Sequence, residues 1–206
     1  TSLVETPQRE TRLARLAQQA SECSSSRVTT LRTATLADLP ALSALIDASV
    51  RELSRGFYSD AQIESGLRHV FGPDSQLVTD LTYSVIGSGK VLVAAGGWSR
   101  RRTLYGGDQA KSGADPLLDP TTEAARIRAF FVAPSHARQG LARRLFDRCA
   151  ADARADGFRS LELMATLSGE PLYRALGFQP LTHESPRLPA GVQLPMVHMR
   201  LVLRTD

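Results

Sequence analysis

Residues 124–165, AARIRAFFVAPSHARQGLARRLFDRCAADARADGFRSLELMA, leave few folds open. The run begins with a β-rich apolar stretch, AARIRAFFV, that stops at Pro134. Leu141, Leu145, Phe146, Cys149 and Ala153 then recur at helical spacing. On the opposite face Arg143 and Asp147, and Arg148 and Asp152, stand four residues apart and can pair. Gly157 supplies a stop for that helix. RSLELMA resumes as a strand, with Leu161, Leu163 and Ala165 alternating onto one face. A strand, a helix and a strand in this order specify a parallel pair joined by a right-handed crossover.

The flanking sequence supplies the rest of a sheet. RVTTLRTAT reads as a first strand, and TLAD at Thr35 to Asp38 has the form of a capping box. Leu39, Leu42, Ile46, Val50 and Leu53 continue from it along one helical stripe. Ser59 and Gln62 can cap a second helix carrying Ile63, Leu67 and Val70, which FGPDS breaks. TYSVI and VLVAAGGWS, separated by GSGK, form a hairpin signal. The pair Gly96 and Gly97 inside its second arm suggests a bulge or a close backbone approach. Residues 106–120 are too rich in Gly, Asp and Pro for regular structure, and a loop of that length is often functional. EPLYRAL is a short helix, and GFQPL and MVHMRLVL are the closing strands. The order β, α, α, β, β, β, α, β, α, β, β predicts an α/β chain with a mixed sheet and helices packed against it. Residues 1–26 read as an appendage: Thr6 and Pro7 open a helix carrying Leu13, Leu16, Ala17 and Ala20, and SECSSS follows as a linker. The compact domain is expected over residues 27–206.

Composition excludes some classes of function. No apolar run approaches the roughly 20 residues of a membrane helix, and no secretory leader is visible. The two cysteines, Cys23 and Cys149, lie far apart without metal-type neighbours, so we expect a reduced, cytoplasmic protein with no metal. The net charge of +4 comes from arginines mixed with acids, and only 6% of residues are aromatic. That pattern disfavours nucleic acid and suits a pocket for a polyanionic small molecule.

The turn between Val132 and Leu141 is the natural place for such an anion. A helix N-terminus exposes unpaired N–H groups and a partial positive charge. Gly140 admits a ligand close to the backbone, Ala142 does not obstruct it, and Arg138, Arg143 and Arg144 add positive charge. Residues 138–143 can therefore hold a pyrophosphate. Neither the Walker A triplet nor a Gly-x-Gly-x-x-Gly is present.

The stretch FFVAPSHARQGLARRLF resembles the acetyl-CoA-binding motif of the GNAT acetyltransferase superfamily, Gln/Arg-x-x-Gly-x-Gly/Ala after a strand ending in Val-x-Pro. Here it runs from Ala137 through Arg138, Gln139, Gly140 and Leu141 to Ala142, with Ala in the first position where the family has Gln or Arg. PLYRALGF, at residues 171–178, is similar to a second family signature, Phe/Leu-Tyr-x-x-x-Gly-Phe, and the order of elements agrees from about residue 27 onward.

The resemblance implies a central mixed, mostly antiparallel sheet of about 6–7 strands around a parallel βαβ core, flanked by about four helices. It implies an N-acetyltransferase that uses acetyl-CoA as cosubstrate and an amine as acceptor. Phe130, Phe131 and Val132 would then hold the pantetheine arm by their backbone, and Arg138, Gln139, Gly140, Leu141, Ala142 and Arg143 the pyrophosphate. A backbone N–H near Phe131 would polarise the thioester carbonyl. Tyr173 is the expected general acid, since an ordinary tyrosine, with a pKa of about 10, keeps its proton at neutral pH; a tyrosine packed under its helix is the plainer reading.

Many relatives place a basic Glu where this chain has Arg126, which cannot act as a base. Glu123 is the nearest substitute. Glu170 and His136 are alternatives, the one also read as a helix cap and the other as a solvated turn residue. Tyr58, Trp98, Arg101, Asp108 and Arg128 are the candidates for the acceptor site, Trp98 equally for the core. Arg100, Arg101 and Arg102 together suit an acidic acceptor or a solvated edge. A non-catalytic acyl-CoA-binding or sensor module on the same fold is the alternative, because fold does not fix activity. A homodimer is common among proteins that resemble this one.

Overall fold

The computed structural model describes residues 29–111 and 113–203. The expected appendage, residues 1–26 with Cys23, lies outside them. Seven strands form one sheet in the order β1-β2-β3-β4-β5-β7-β6. They are β1 (Thr29–Thr33), β2 (Tyr83–Ser88), β3 (Val91–Ser99), β4 (Ala125–Val132), β5 (Ser160–Thr166), β6 (Gln179–Glu184) and β7 (Met196–Val202). The pair β4 and β5 is parallel and every other pair is antiparallel. Five α-helices complete the described residues: α1 (Leu39–Leu53), α2 (Asp60–His69), α3 (Ser75–Thr79), α4 (Leu141–Ala155) and α5 (Glu170–Ala175). This is the mixed α/β architecture the sequence predicts, with one helix more than expected. The additional helix, α3, is five residues long and is opened by Asp74, whose carboxylate accepts the Leu77 N–H. Five residues are too few to show a period, so the sequence offers only a break there.

The two faces of the sheet carry separate cores. Ile86, Val93, Ala94, Leu161, Leu163, Val197 and Met199 pack with α4, which buries Leu141, Leu145, Phe146, Cys149, Ala150 and Ala153. Val85, Ala95 and Phe131 point the other way and meet Leu42 and Leu45 of α1. Arg148 pairs with Asp152 on the outer face of α4, whereas Arg143 reaches toward the Ala175 carbonyl of α5 instead of Asp147.

Both expected capping boxes form. Ser59 and Gln62 bond reciprocally at the start of α2. Asp38 accepts the Thr35 N–H at 2.8 Å and two bonds from Arg32 at 2.7 Å. The Arg32 guanidinium, chiefly, holds the Asp38 carboxyl below its ordinary pKa, with Thr35 adding to it and burial opposing. The folded pKa is thus depressed, so the stabilisation is complete above the unfolded value of about 3.9 and is lost as pH falls through the folded one. Urea titrations from pH 6 to 2 should show a shallower acid limb for Asp38→Asn than for wild type; parallel limbs would remove Asp38 from the acid response.

One irregularity shapes everything that follows. β4 and β5 are in register only at Ala125 with Leu161 and Arg126 with Glu162. Past that point β4 bulges: Ala129 has φ 56°, and the pairing with β3 shifts between Ala95 and Gly97. A bulge bends its strand and ends pairing. The bend is possible because Gly96 has no side chain; a Cβ there would stand 2.7 Å from the Phe130 ring. The two parallel strands therefore part, and a cleft opens between them.

Candidate active site

The cleft has a volume of about 730 Å³. It follows the parted edge of β4 from the start of α4 to α1 and the loop at residues 104–107, with α5 on its flank.

One end is the turn before α4. Arg138 and Gly140 both take left-handed backbone angles, φ 63° and 79°, and Gly140 is the N-cap. No side chain caps this helix, so its first N–H groups are left for a ligand. The space where a Gly140 side chain would stand is open, with nothing within 4 Å. Arg138, Gly140, Leu141, Ala142 and Arg143 line the cleft here, together with His136. Gln139 does not: its amide turns back to the Ser135 carbonyl. Arg144 is likewise spent, on the Thr29 carbonyl and hydroxyl.

The middle is the free side of β4. Ala133 donates to Val93 across β3 at 2.8 Å. Donors alternate along a strand, so the N–H groups of Val132 and Phe130 face away from β3, into the opening. That of Val132 meets the Ser49 hydroxyl at 3.3 Å. The cleft-facing donor nearest Phe131 is thus that of its neighbour. Phe130, Phe131 and Val132 all line the cleft.

Tyr173, on α5, lines the same cleft and packs edge-on against Phe130 and Phe178, with ring centroids 6.4 and 5.7 Å away. Burial pushes its hydroxyl above the ordinary tyrosine pKa, and the nearby Cys149 adds to this. The phenol stays protonated across the physiological range.

The other end is apolar. Phe57, Phe71, Tyr105, Met164 and Met196 form its walls. Arg128 reaches it from β4, 4% exposed, held by Asp74 at 2.9 Å and by the Gly106 carbonyl.

The remaining candidates lie outside the cleft, each for a local reason. Glu123 accepts the Asp119 N–H and pairs with Arg102, which closes the turn ahead of β4 and removes it from any catalytic position. Trp98 is 3% exposed, edge-on to Phe158 and covered by the Arg100 guanidinium at 5.3 Å, so it belongs to the core. Arg101 is spent on Asp80 and the Asp115 carbonyl, and Arg100 pairs with Asp156. Asp108 accepts the Ser75 N–H beside the cleft rim without lining it. Tyr58 is a strut behind the wall, donating to the Pro195 carbonyl and accepting from Leu167 N–H. Of the two alternative bases, His136 lines the anion end and bonds Ser135, while Glu170 pairs with Arg174 on α5.

Ser49 is the cleft residue that sequence reading missed most clearly. It interrupts the apolar stripe of α1 at a buried position, and a polar residue on an inward face is the signal that could have found it. Among the described residues no group of acids, histidines and cysteines is arranged to hold a metal ion, and no helix is long and apolar enough to cross a membrane.

A cleft with cations and free helix N–H groups at one end, strand N–H groups turned away from β3 in the middle and a protonated phenol beside them fits a long thioester with a pyrophosphate. Residues 119–203 match the family model of the acetyltransferase (GNAT) domain, a span that runs from the approach to β4 through β7. No curated protein matches the sequence. The GCN5-related N-acetyltransferase of Rhodopseudomonas palustris is 16% identical, covers 86% of this chain and 98% of its own, and superposes with a TM-score of 0.61. The Salmonella typhimurium protein yncA, solved with its cofactor acetyl-CoA, is 18% identical over 86% of this chain and 95% of its own, with a TM-score of 0.57. The PaiA N-acetyltransferase of Thermoplasma acidophilum, in complex with coenzyme A, is 11% identical over 85% and 99%, with a TM-score of 0.55. These likenesses carry the fold. The likeness to the GNAT acetyltransferase domain thus rests on residues 119–203 in sequence and on the fold of the described residues as a whole.

Proposed function

We propose that this protein transfers an acetyl group from acetyl-CoA to an amine. The observation that carries the reading is that the uncapped α4 turn, the edge of β4 that faces away from β3, and Tyr173 all border one cleft. Arg138, Arg143 and the first N–H groups of α4 hold the pyrophosphate. The strand edge at residues 130–132 aligns the pantetheine arm, and its cleft-facing N–H groups stabilise negative charge on the thioester oxygen. The amine nitrogen forms the new C–N bond as the C–S bond breaks. Tyr173 gives the departing sulfur a proton, and the amine's surplus proton leaves to water. No aspartate or glutamate among the described residues lines the cleft, so the acceptor reacts after losing its proton to solvent.

Gly140→Glu tests the site. The open space above Gly140 admits the side chain, and the left-handed backbone there costs roughly 1–2 kcal/mol. Calorimetry should show acetyl-CoA binding to wild type and at least about tenfold weaker binding to the folded variant, because a carboxylate then stands at the anion position. Equal affinities would remove the turn from the binding site, and no affinity in wild type would overturn the reading.

A further inference from the structure

The acceptor end of the cleft has one charged side chain, and it is a cation. Arg128 is 2% exposed at its side chain, yet it borders the cleft, and its Nε finds no hydrogen-bond partner within the protein. Its Nη2 is committed to Asp74 and the Gly106 carbonyl. A guanidinium carries five donors in a planar fork, so donors remain for a ligand.

The acids around it are all placed behind the wall. Asp74 is fully buried and shared between Arg128 and Lys111. Asp108 is half-exposed on the solvent side, with the single Ser75 N–H shared between its two oxygens. Asp115 accepts the Thr103 N–H, and its backbone carbonyl accepts from Arg101. None of the three lines the cleft. An anionic group entering the cleft thus meets a fixed cation and no like charge on the wall. A polycationic amine meets the reverse, with no carboxylate to receive it.

We infer that Arg128 forms a carboxylate subsite, and that the acceptor is an amine carrying a carboxylate on an apolar body, the chemistry of an amino acid with a large apolar side chain. Phe57, Phe71, Tyr105, Met164 and Met196 supply the complementary walls. The buried Asp74 holds the guanidinium in place, and its Nε–H has no partner within the protein. This inference rests on the acetyl-transfer reading.

The experiment compares wild type and Arg128→Lys. The lysine keeps the charge opposite Asp74 but loses the fork. Wild type is assayed with acetyl-CoA and phenylalanine, leucine, phenylethylamine, spermidine and a phenylalanyl peptide. Phenylalanine and leucine should exceed phenylethylamine and spermidine by roughly tenfold or more in kcat/KM, the worth of a charge-assisted contact. Arg128→Lys should raise KM for the amino acids about tenfold, at least several-fold more than it raises that for phenylethylamine, and keep acetyl-CoA affinity. The double variant Asp74→Asn/Arg128→Gln, which removes the guanidinium with its carboxylate and is checked for folding because Lys111 also loses its partner, should abolish the preference in the same way. The inference is overturned if phenylethylamine, spermidine or the peptide is the better acceptor, or if either folded variant keeps the preference. It is also overturned if acetyl-CoA binds and no amino acid is acetylated. An absence of acetyl-CoA binding, by contrast, would strike the acetyl-transfer reading itself.

Discussion

Asp74→Ala should cost the domain about 3–5 kcal/mol of folding stability, the range for breaking a buried ion pair by removing one partner. The aspartate is fully buried. It faces Arg128 on one side and Lys111 on the other, and their side chains are 2% and 18% exposed. Truncation leaves two cations in a poorly solvated place with nothing between them. It also removes the cap of α3, for which the usual loss is about 1 kcal/mol. A domain of this kind has about 5–15 kcal/mol in total, so the variant should stand near its unfolding threshold. Urea unfolding followed by circular dichroism measures this directly. Asp74→Asn retains an acceptor for Leu77 and should lose less than the alanine variant. A loss below about 1 kcal/mol in Asp74→Ala would mean that water reaches these cations and that the pair is not a structural anchor.

Tyr173→Phe should lower kcat by at least about a hundredfold, the lower end for loss of a general acid, while acetyl-CoA affinity and melting temperature stay close to wild type. The ring keeps its edge contacts with Phe130 and Phe178, so packing is preserved and only the proton is lost. Because burial raises the hydroxyl pKa, wild type should also keep its rate past the pH of about 10 at which an ordinary tyrosine ionises. A kcat within twofold of wild type would make Tyr173 a packing residue alone. Tight acetyl-CoA binding with no turnover on any amine would favour a sensor on the same fold instead.

The sequence was most informative where the signal is local. The α4 turn could be read because Pro134, Gly140 and the helical period from Leu141 onward are neighbours in the chain. The glycine pair at Gly96 and Gly97 likewise announced the close approach that Phe130 makes. The acceptor end could not be read in this way. Its walls come from the end of α1, the loops before β4, and β5 and β7, which only the folded sheet brings together. Trp98, read equally for the acceptor site and the core, falls in the core. It sits two residues past Gly96, and a shift of pairing by one residue exchanges the faces of a strand. Glu123 and Arg101 have suitable chemistry, yet nearby opposite charges or turn donors already occupy both. Arg128 met the same kind of partner but sits where the wall opens.

The described part of the loop before β4, beside the apolar end of the cleft, is tied down at several points. Arg101 ties it to Asp80 and the Asp115 carbonyl, Arg102 to Glu123, Lys111 to Asp74, and the Gly106 carbonyl to Arg128. Its rim therefore has few rotamers and backbone states left to lose when a ligand arrives. The ordering cost that a floppy lid would charge against affinity has already been met in folding. On the proposed reading, selectivity at this end is that of a rigid mould, which sorts acceptors by shape and charge on entry and not by how well a loop closes over them.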